Sequence, residues 1–142
     1  YDLVVVQHGE VLTWLGRPTE GIEWIRKAMR INPYHPERFW NHLGRAQFVA
    51  RAYGDAIQSF TRITKPDHAH FAFLAAASAQ MGNAGAASAQ MGDASAASGY
   101  AREVMSRAPE FTVSAYLATL HYRNESDLEH HREALLKAGL PA

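Results

Sequence analysis

The chain has 142 residues, 47% of them hydrophobic and 20% charged, and its 14 lysines and arginines are balanced by 14 aspartates and glutamates. That length suits one compact domain able to bury most of its unfolded surface, and the neutral balance lacks the basic surplus that holds proteins on nucleic acid or anionic lipid. With no cysteine, disulfides, thiolate nucleophiles and thiolate metal sites are excluded together, which fits a reducing, cytoplasmic setting.

No apolar run approaches the ~20 residues that span a bilayer, and the opening "YDLVVVQHGE" has neither the basic flank nor the cleavage site of a signal peptide. The chain opens without methionine, inside an apolar segment, as a fragment of a longer protein would. Neither nucleic acid nor membrane is expected as a partner, and no cofactor motif is visible.

The first segment, "VVVQHGEVLTWLG", sets Val5, Gly9 and Leu12 at helical steps. A second helix follows in "GRPTEGIEWIRKAMRINP", where Pro18 suits a first helical turn and Gly21, Ile25 and Ala28 precede the closing Pro33. Pro36 is read in the same way for the next helix, "FWNHLGRAQFVAR", which sets Trp40, Leu43, Gly44 and Phe48 on helical steps. Arg51 then stands in the place of Gly16 and is followed by Ala56, Phe60 and Ile63, with Pro66 two residues early. A third pair begins at Asp67, a plausible cap, with "FAFLAAASAQMG", and ends with Gly92, Ala97, Ala101, Val104 and Pro109.

Residues 77–96, "ASAQMGNAGAASAQMGDASA", are a ten-residue unit and a near copy identical at eight of ten positions. Gly9 to Gly44 is 35 residues and Gly44 to Ala75 is 31, whereas Gly21 to Ala56 is 35 but Ala56 to Ala97 is 41. Deleting ten residues from the last interval gives 31, so the copy is an extra turn segment inside the third unit. Its alanine content predicts helix, interrupted at Gly82 and Gly92 and capped at Asp93, with a flexible bulge as the alternative. After Pro109, Val113, Tyr116, Leu117 and Leu120 fall on one helical stripe, and a last helix is predicted from the capping box Ser126-x-x-Glu129 to Gly139 and Pro141. The units are therefore 2–34, 35–66 and 67–109, with capping helices over 110–142.

Trp40-x-x-Leu43-Gly44, then Ala56-x-x-x-Phe60 and a closing proline, resembles the tetratricopeptide repeat, whose length of about 34 residues also fits. The resemblance covers 3–109 and implies an all-α, right-handed superhelix of three helical hairpins with C-terminal capping helices. Small residues at Gly9, Gly44, Ala75 and at Gly21, Ala56, Ala97 would let paired helices approach, while Ile25, Trp40 and Phe60 fill the space between pairs. Gln47, where an aromatic is usual, and Ala101, where a large apolar residue is usual, depart from the pattern.

A narrower resemblance lies in "RINPYHPERFWNHLGRAQF", "FLAAASAQMG" and the ending "PEFTVSAYLATLHYRNESDLEHHREALLKAGLPA". These are similar to the C-terminal repeat regions of bacterial class III adenylate cyclases and related signalling proteins. No metal-binding aspartate pair of a cyclase core is present, so the resemblance implies a regulatory end, with any catalysis in the parent chain.

In such repeats the first helix of each pair lines a groove, which would set Glu10, Thr13 and Trp14 beside Arg38, Asn41, Arg45 and Phe48. Arg38, Asn41 and Arg45 share one helical face by their spacing. They are expected to grip an acidic or amide-rich protein or peptide segment, with Trp14 and Phe48 as apolar anchors; an ordinary solvated face is the alternative. Ala69, Ala72, Ala76 and Ala79 would offer the third unit's groove to an apolar helix.

A clamp for acidic chaperone tails is not expected, because only Asn41 and Arg45 could serve and Glu10 would repel a carboxylate. Self-association through the apolar first helix, rich in Leu3, Val4, Val5 and Val6, is the competing reading and would give a homodimer. His68, His70, His130 and His131, with Asp127 and Glu129, invite a metal hypothesis, but neighbouring helical residues diverge, so surface or cap roles are expected. Gly82, Gly85 and Gly92 lack the Lys-Ser or Lys-Thr of a phosphate-binding loop, and no nucleophile with a base is apparent, so no enzyme activity is expected of this segment.

Overall fold

The structure, a computed structural model, describes the backbone of residues 1–82 and 87–142 and the side chains outside 83–95. Among these residues it is all-helical. The chain divides into two compact units, Tyr1–Thr64 with Tyr122–Asn124, and Lys65–His121 with Glu125–Ala142.

The first unit contains α1 (Asp2–Trp14), α2 (Pro18–Ile31), α3 (Arg38–Val49) and α4 (Tyr53–Phe60). Neighbours in sequence pack in pairs, α1 on α2 and α3 on α4, and α3 also meets α1 and α2. The pairing rests on missing side chains. A Cβ on Gly9 would lie 2.7 Å from the Gly21 carbonyl oxygen and 2.6 Å from Ile25 Cγ1, and a Cβ on Gly44 would lie 2.6 Å from Phe60 Cε2. Ile25 and Phe60 thus fill the space above a glycine of their own hairpin. Val5, Val6, Ile25, Ala28, Phe39, Leu43 and Ala46 form the core, with Trp24 and Trp40 half-buried against it.

Both first helices of this unit end alike. Gly16 N–H donates to Thr13 O and Arg17 N–H to Leu12 O; one period later Arg51 N–H donates to Phe48 O and Ala52 N–H to Gln47 O. Each is a Schellman turn, with the left-handed residue at φ 86° for Gly16 and φ 67° for Arg51. Pro18 occupies the first turn of α2 as its fixed φ favours. Pro36 does not do so for α3, which starts at Arg38. It lies in a tightened lead-in where Phe39 N–H donates to Pro36 O and Trp40 N–H to Glu37 O.

The second unit contains α5 (His68–Met81), α6 (Ala87–Arg107), α7 (Val113–Leu117) and α8 (Glu125–Lys137). Asp67 caps α5 through the expected capping box, its side chain accepting from His70 N–H while Asp67 N–H donates to His70 Nδ1. Ala72 to Ala79 are all buried, and α5 packs against both α6 and α8. Gly82 stands at the C-cap of α5. By contrast α6 runs straight through Gly92 and Asp93, so neither breaks nor caps a helix: alanine-rich neighbours outweigh the ~1 kcal/mol cost of one glycine. The rest of the duplicated turn, 83–86, lies outside the described residues.

Thr112 caps α7, its hydroxyl accepting from Ala115 N–H, but the helix has only five residues and leaves Leu120 outside. Helix α8 starts at Glu125, so Ser126 is inside it rather than a cap. It closes with a third Schellman turn at Gly139, φ 98°, where Leu140 N–H donates to Leu135 O. The tail is then held by Val113 N–H donating to Pro141 O. Among the described residues no helix is long and apolar enough to cross a membrane.

Candidate functional site

Where α1 meets α3, a carboxylate is turned inward and surrounded. Glu10 lies one turn before Trp14, whose indole Nε1–H donates to Glu10 Oε1 at 3.1 Å. From α3, Arg45 Nη1 donates to the same oxygen at 2.9 Å, and His42 Nδ1 lies 2.5 Å from Oε2. An ionised carboxylate only accepts, so His42 carries its proton on Nδ1 in this contact. The three charged or titratable side chains are 16–24% exposed.

Burial alone would push the Glu10 carboxyl up, but the hydrogen bonds and charges of His42 and Arg45 outweigh it and hold the carboxyl below its ordinary value. The Arg45 guanidinium also lies 6.0 Å from the Trp14 ring. Tyr122 packs edge-on against that ring at 4.8 Å, and the segment is tied down where Arg123 N–H donates to Trp14 O.

The six residues singled out in the sequence divide into three sets. Glu10, Trp14 and Arg45 are brought together, but with one another as partners, so Glu10 neutralises the arginine expected to grip a ligand. Arg38 and Asn41 remain on α3: Arg38 is exposed, 5.9 Å above the Phe39 ring, and the half-buried Asn41 has an Oδ1 without a hydrogen-bond partner among the described residues. Phe48 is fully buried and packs on Tyr53 at 5.8 Å, and Trp14 is 7% exposed. Neither can serve as an apolar anchor, because both already belong to the chain's own core. Thr13, also buried, donates back to Gly9 O.

Sequence reasoning missed His42. Its position three residues before Arg45, on the same side of α3, was the available signal.

Two other readings change. Ala72, Ala76 and Ala79 are buried and only Ala69, at the start of α5, is half-buried, so most of the third unit's alanine face is not open to an incoming helix; α8 of the same chain already packs on α5. His70 belongs to the α5 capping box. His131 is fully buried, 4.9 Å from the Phe73 ring and 6.0 Å from Tyr116, rather than a surface or cap residue. Comparison with family models, with curated proteins and with solved structures finds no match.

Proposed function

We propose that this chain is a tetratricopeptide-like module that binds a protein segment along the exposed side of α1 and α3, as a three-hairpin right-handed superhelix with C-terminal caps. The observation that carries this reading is the repeat of one backbone device at a fixed interval. The Schellman turns at Gly16 and Arg51 lie 35 residues apart, as do the close-packed glycines Gly9 and Gly44.

The chemistry of the face favours an amide-rich partner over a strongly acidic one. Glu10 cancels Arg45, which leaves the exposed Arg38 cation for a ligand, with the half-buried Asn41 one turn along the same face and its Oδ1 sealed from solvent. The similarity of the chain's ending to the repeat regions of bacterial class III adenylate cyclases supports a regulatory role in such a signalling protein, with catalysis in the parent chain and not in this segment. A cyclase motif upstream in the full reading frame tests that part directly.

The binding face is tested by capture from host lysate with the unaltered chain beside an Arg38→Glu, Asn41→Leu variant of equal helicity by circular dichroism. Loss of a captured protein by the variant assigns the face; identical captures from both refute it. Arg45 is left intact because its removal would take the guanidinium from buried Glu10 and disturb the packing of α1 on α3.

A second reading, homodimerisation through α1, is favoured by one observation. Of the residues expected to form that surface, Leu3 and Val4 are 42% and 68% exposed, with Val11 of the same helix at 55%, whereas Val5 and Val6 are buried in the chain's own core. A monomer by light scattering at high concentration would count against it.

A further inference from the structure

A recess of about 210 Å³ opens within the first unit, on residues separate from the Glu10 cluster. It lies between Arg26 of α2, Trp40 and Gln47 of α3, Asp55 and Ser59 of α4, and Arg62 just beyond. Its walls include two polar side chains where an apolar core would be cheaper. Gln47 and Ser59 are each 3% exposed, and Ser59 Oγ donates to Gln47 Oε1 at 2.6 Å. That bond uses the amide oxygen and leaves both N–H groups of Nε2 as donors. Among the described residues none accepts from them. Nε2 is not sealed from solvent, so these donors stay available to the recess that Gln47 lines.

The mouth of the recess carries two guanidiniums. Arg26 and Arg62 are exposed, Arg62 lies 5.0 Å over the Trp40 ring, and among the described residues neither is within ion-pair distance of a carboxylate. Asp55 is the single acidic group of the lining, so two cations and one anion leave a local formal charge of +1. Guanidinium forks and amide N–H groups together suit a carboxylate's two in-plane oxygens. A charge of +1 matches a monoanion better than a dianion. At about 30 Å³ per water-sized group, the volume holds roughly seven non-hydrogen atoms.

We propose that the recess between Arg26, Gln47 and Arg62 is a binding site for a small monocarboxylate. The carboxylate sits against the arginines and accepts from Gln47 Nε2, while the Trp40 side receives the short apolar remainder. Asp55 adds a negative charge to the same lining without pairing with either arginine, and so sets the upper limit on the ligand's charge.

The test is a nuclear magnetic resonance titration of the full chain, following the Gln47 side-chain amide and the Arg26 and Arg62 Nε–H groups. Propionate, the neutral isostere propionamide, inorganic phosphate and an acetylated triglycine are added separately. Propionate is expected to give saturating shifts at millimolar concentration, as befits so small a ligand. Arg26→Gln or Arg62→Gln should each weaken binding about tenfold, and Asp55→Asn should tighten it several-fold.

The opposite signs separate a ligand site from a merely structural cluster, and all three substitutions fall on exposed side chains. A preference for propionate over triglycine identifies a free acid; equal affinity identifies a chain terminus, and either supports the site. Shifts that never saturate, equal shifts with propionamide, tighter binding of phosphate, or affinity unchanged in the arginine variants would overturn it.

Discussion

Arg51 occupies a left-handed backbone position, φ 67°, that Gly16 fills one period earlier at φ 86°. A side chain there is strained where glycine is not. Arg51→Gly is therefore expected to raise stability by roughly 0.5–1 kcal/mol in urea unfolding, net of the entropy glycine adds to the unfolded chain. Gly44 presents the reverse case. An added methyl must displace the buried Phe60 ring, so Gly44→Ala should cost about 2 kcal/mol despite alanine's better helix propensity.

Glu10 sets a pH dependence. Its folded carboxyl is held below the ordinary 4.5 by His42 and Arg45 against the opposing effect of burial. Its ionised form therefore contributes stability that is fully present above that value and is lost as pH falls through the lowered one. The stability difference between the unaltered chain and Glu10→Gln should stay constant above pH 4.5 and shrink on further acidification. A difference that grew in acid would refute the assignment of Glu10 as the buried, ion-paired carboxylate.

At the scale of elements, helix bodies were legible and helix ends less so. The periodic positions Val5, Leu12, Ile25, Leu43 and Phe60 are buried as their spacing predicts, because a stripe repeating every three or four residues has only one way to face a core. Asp67 was legible too, since its side chain must reach only as far as its own first turn. Asp67→Ala should lower stability by about 1 kcal/mol, and hydrogen exchange should locate the loss at the start of α5.

Pro36, Ser126 and Asp93 misled because a cap residue is defined by where the hydrogen-bond ladder starts, and neighbours settle that. The same hexapeptide, Ala-Ser-Ala-Gln-Met-Gly, finishes α5 at Gly82 and lies inside α6 at Gly92. The site was legible only in part for a related reason. Spacing placed Arg38, Asn41 and Arg45 on one helix face, yet it could not say that Glu10 of another helix would claim Arg45, or that Phe48 would turn into the core. Those outcomes depend on how helices meet, which periodicity within a helix does not encode.

For the whole molecule, the division into units does not follow the order of the chain. The first unit is made of Tyr1–Thr64 and then, after an excursion, Tyr122–Asn124. Tyr122 covers the Trp14 ring and Arg123 bonds its carbonyl. A chain ending at Thr64 should fold but melt below the full chain, with Trp14 emission shifted to the red by its lost cover. An unchanged spectrum would show that the three-residue segment contributes nothing.

That excursion also sets a schedule. From Thr64 to Asn124 is 60 residues (124 − 64), and ribosomes add about 5–20 residues per second. During synthesis the amino-terminal helices therefore wait roughly 3–12 s for their final piece. By then Lys65–His121 of the second unit has also been made, while its Glu125–Ala142 part, with α8, is still to come. The part of the protein begun first is thus completed only after most of the second unit exists.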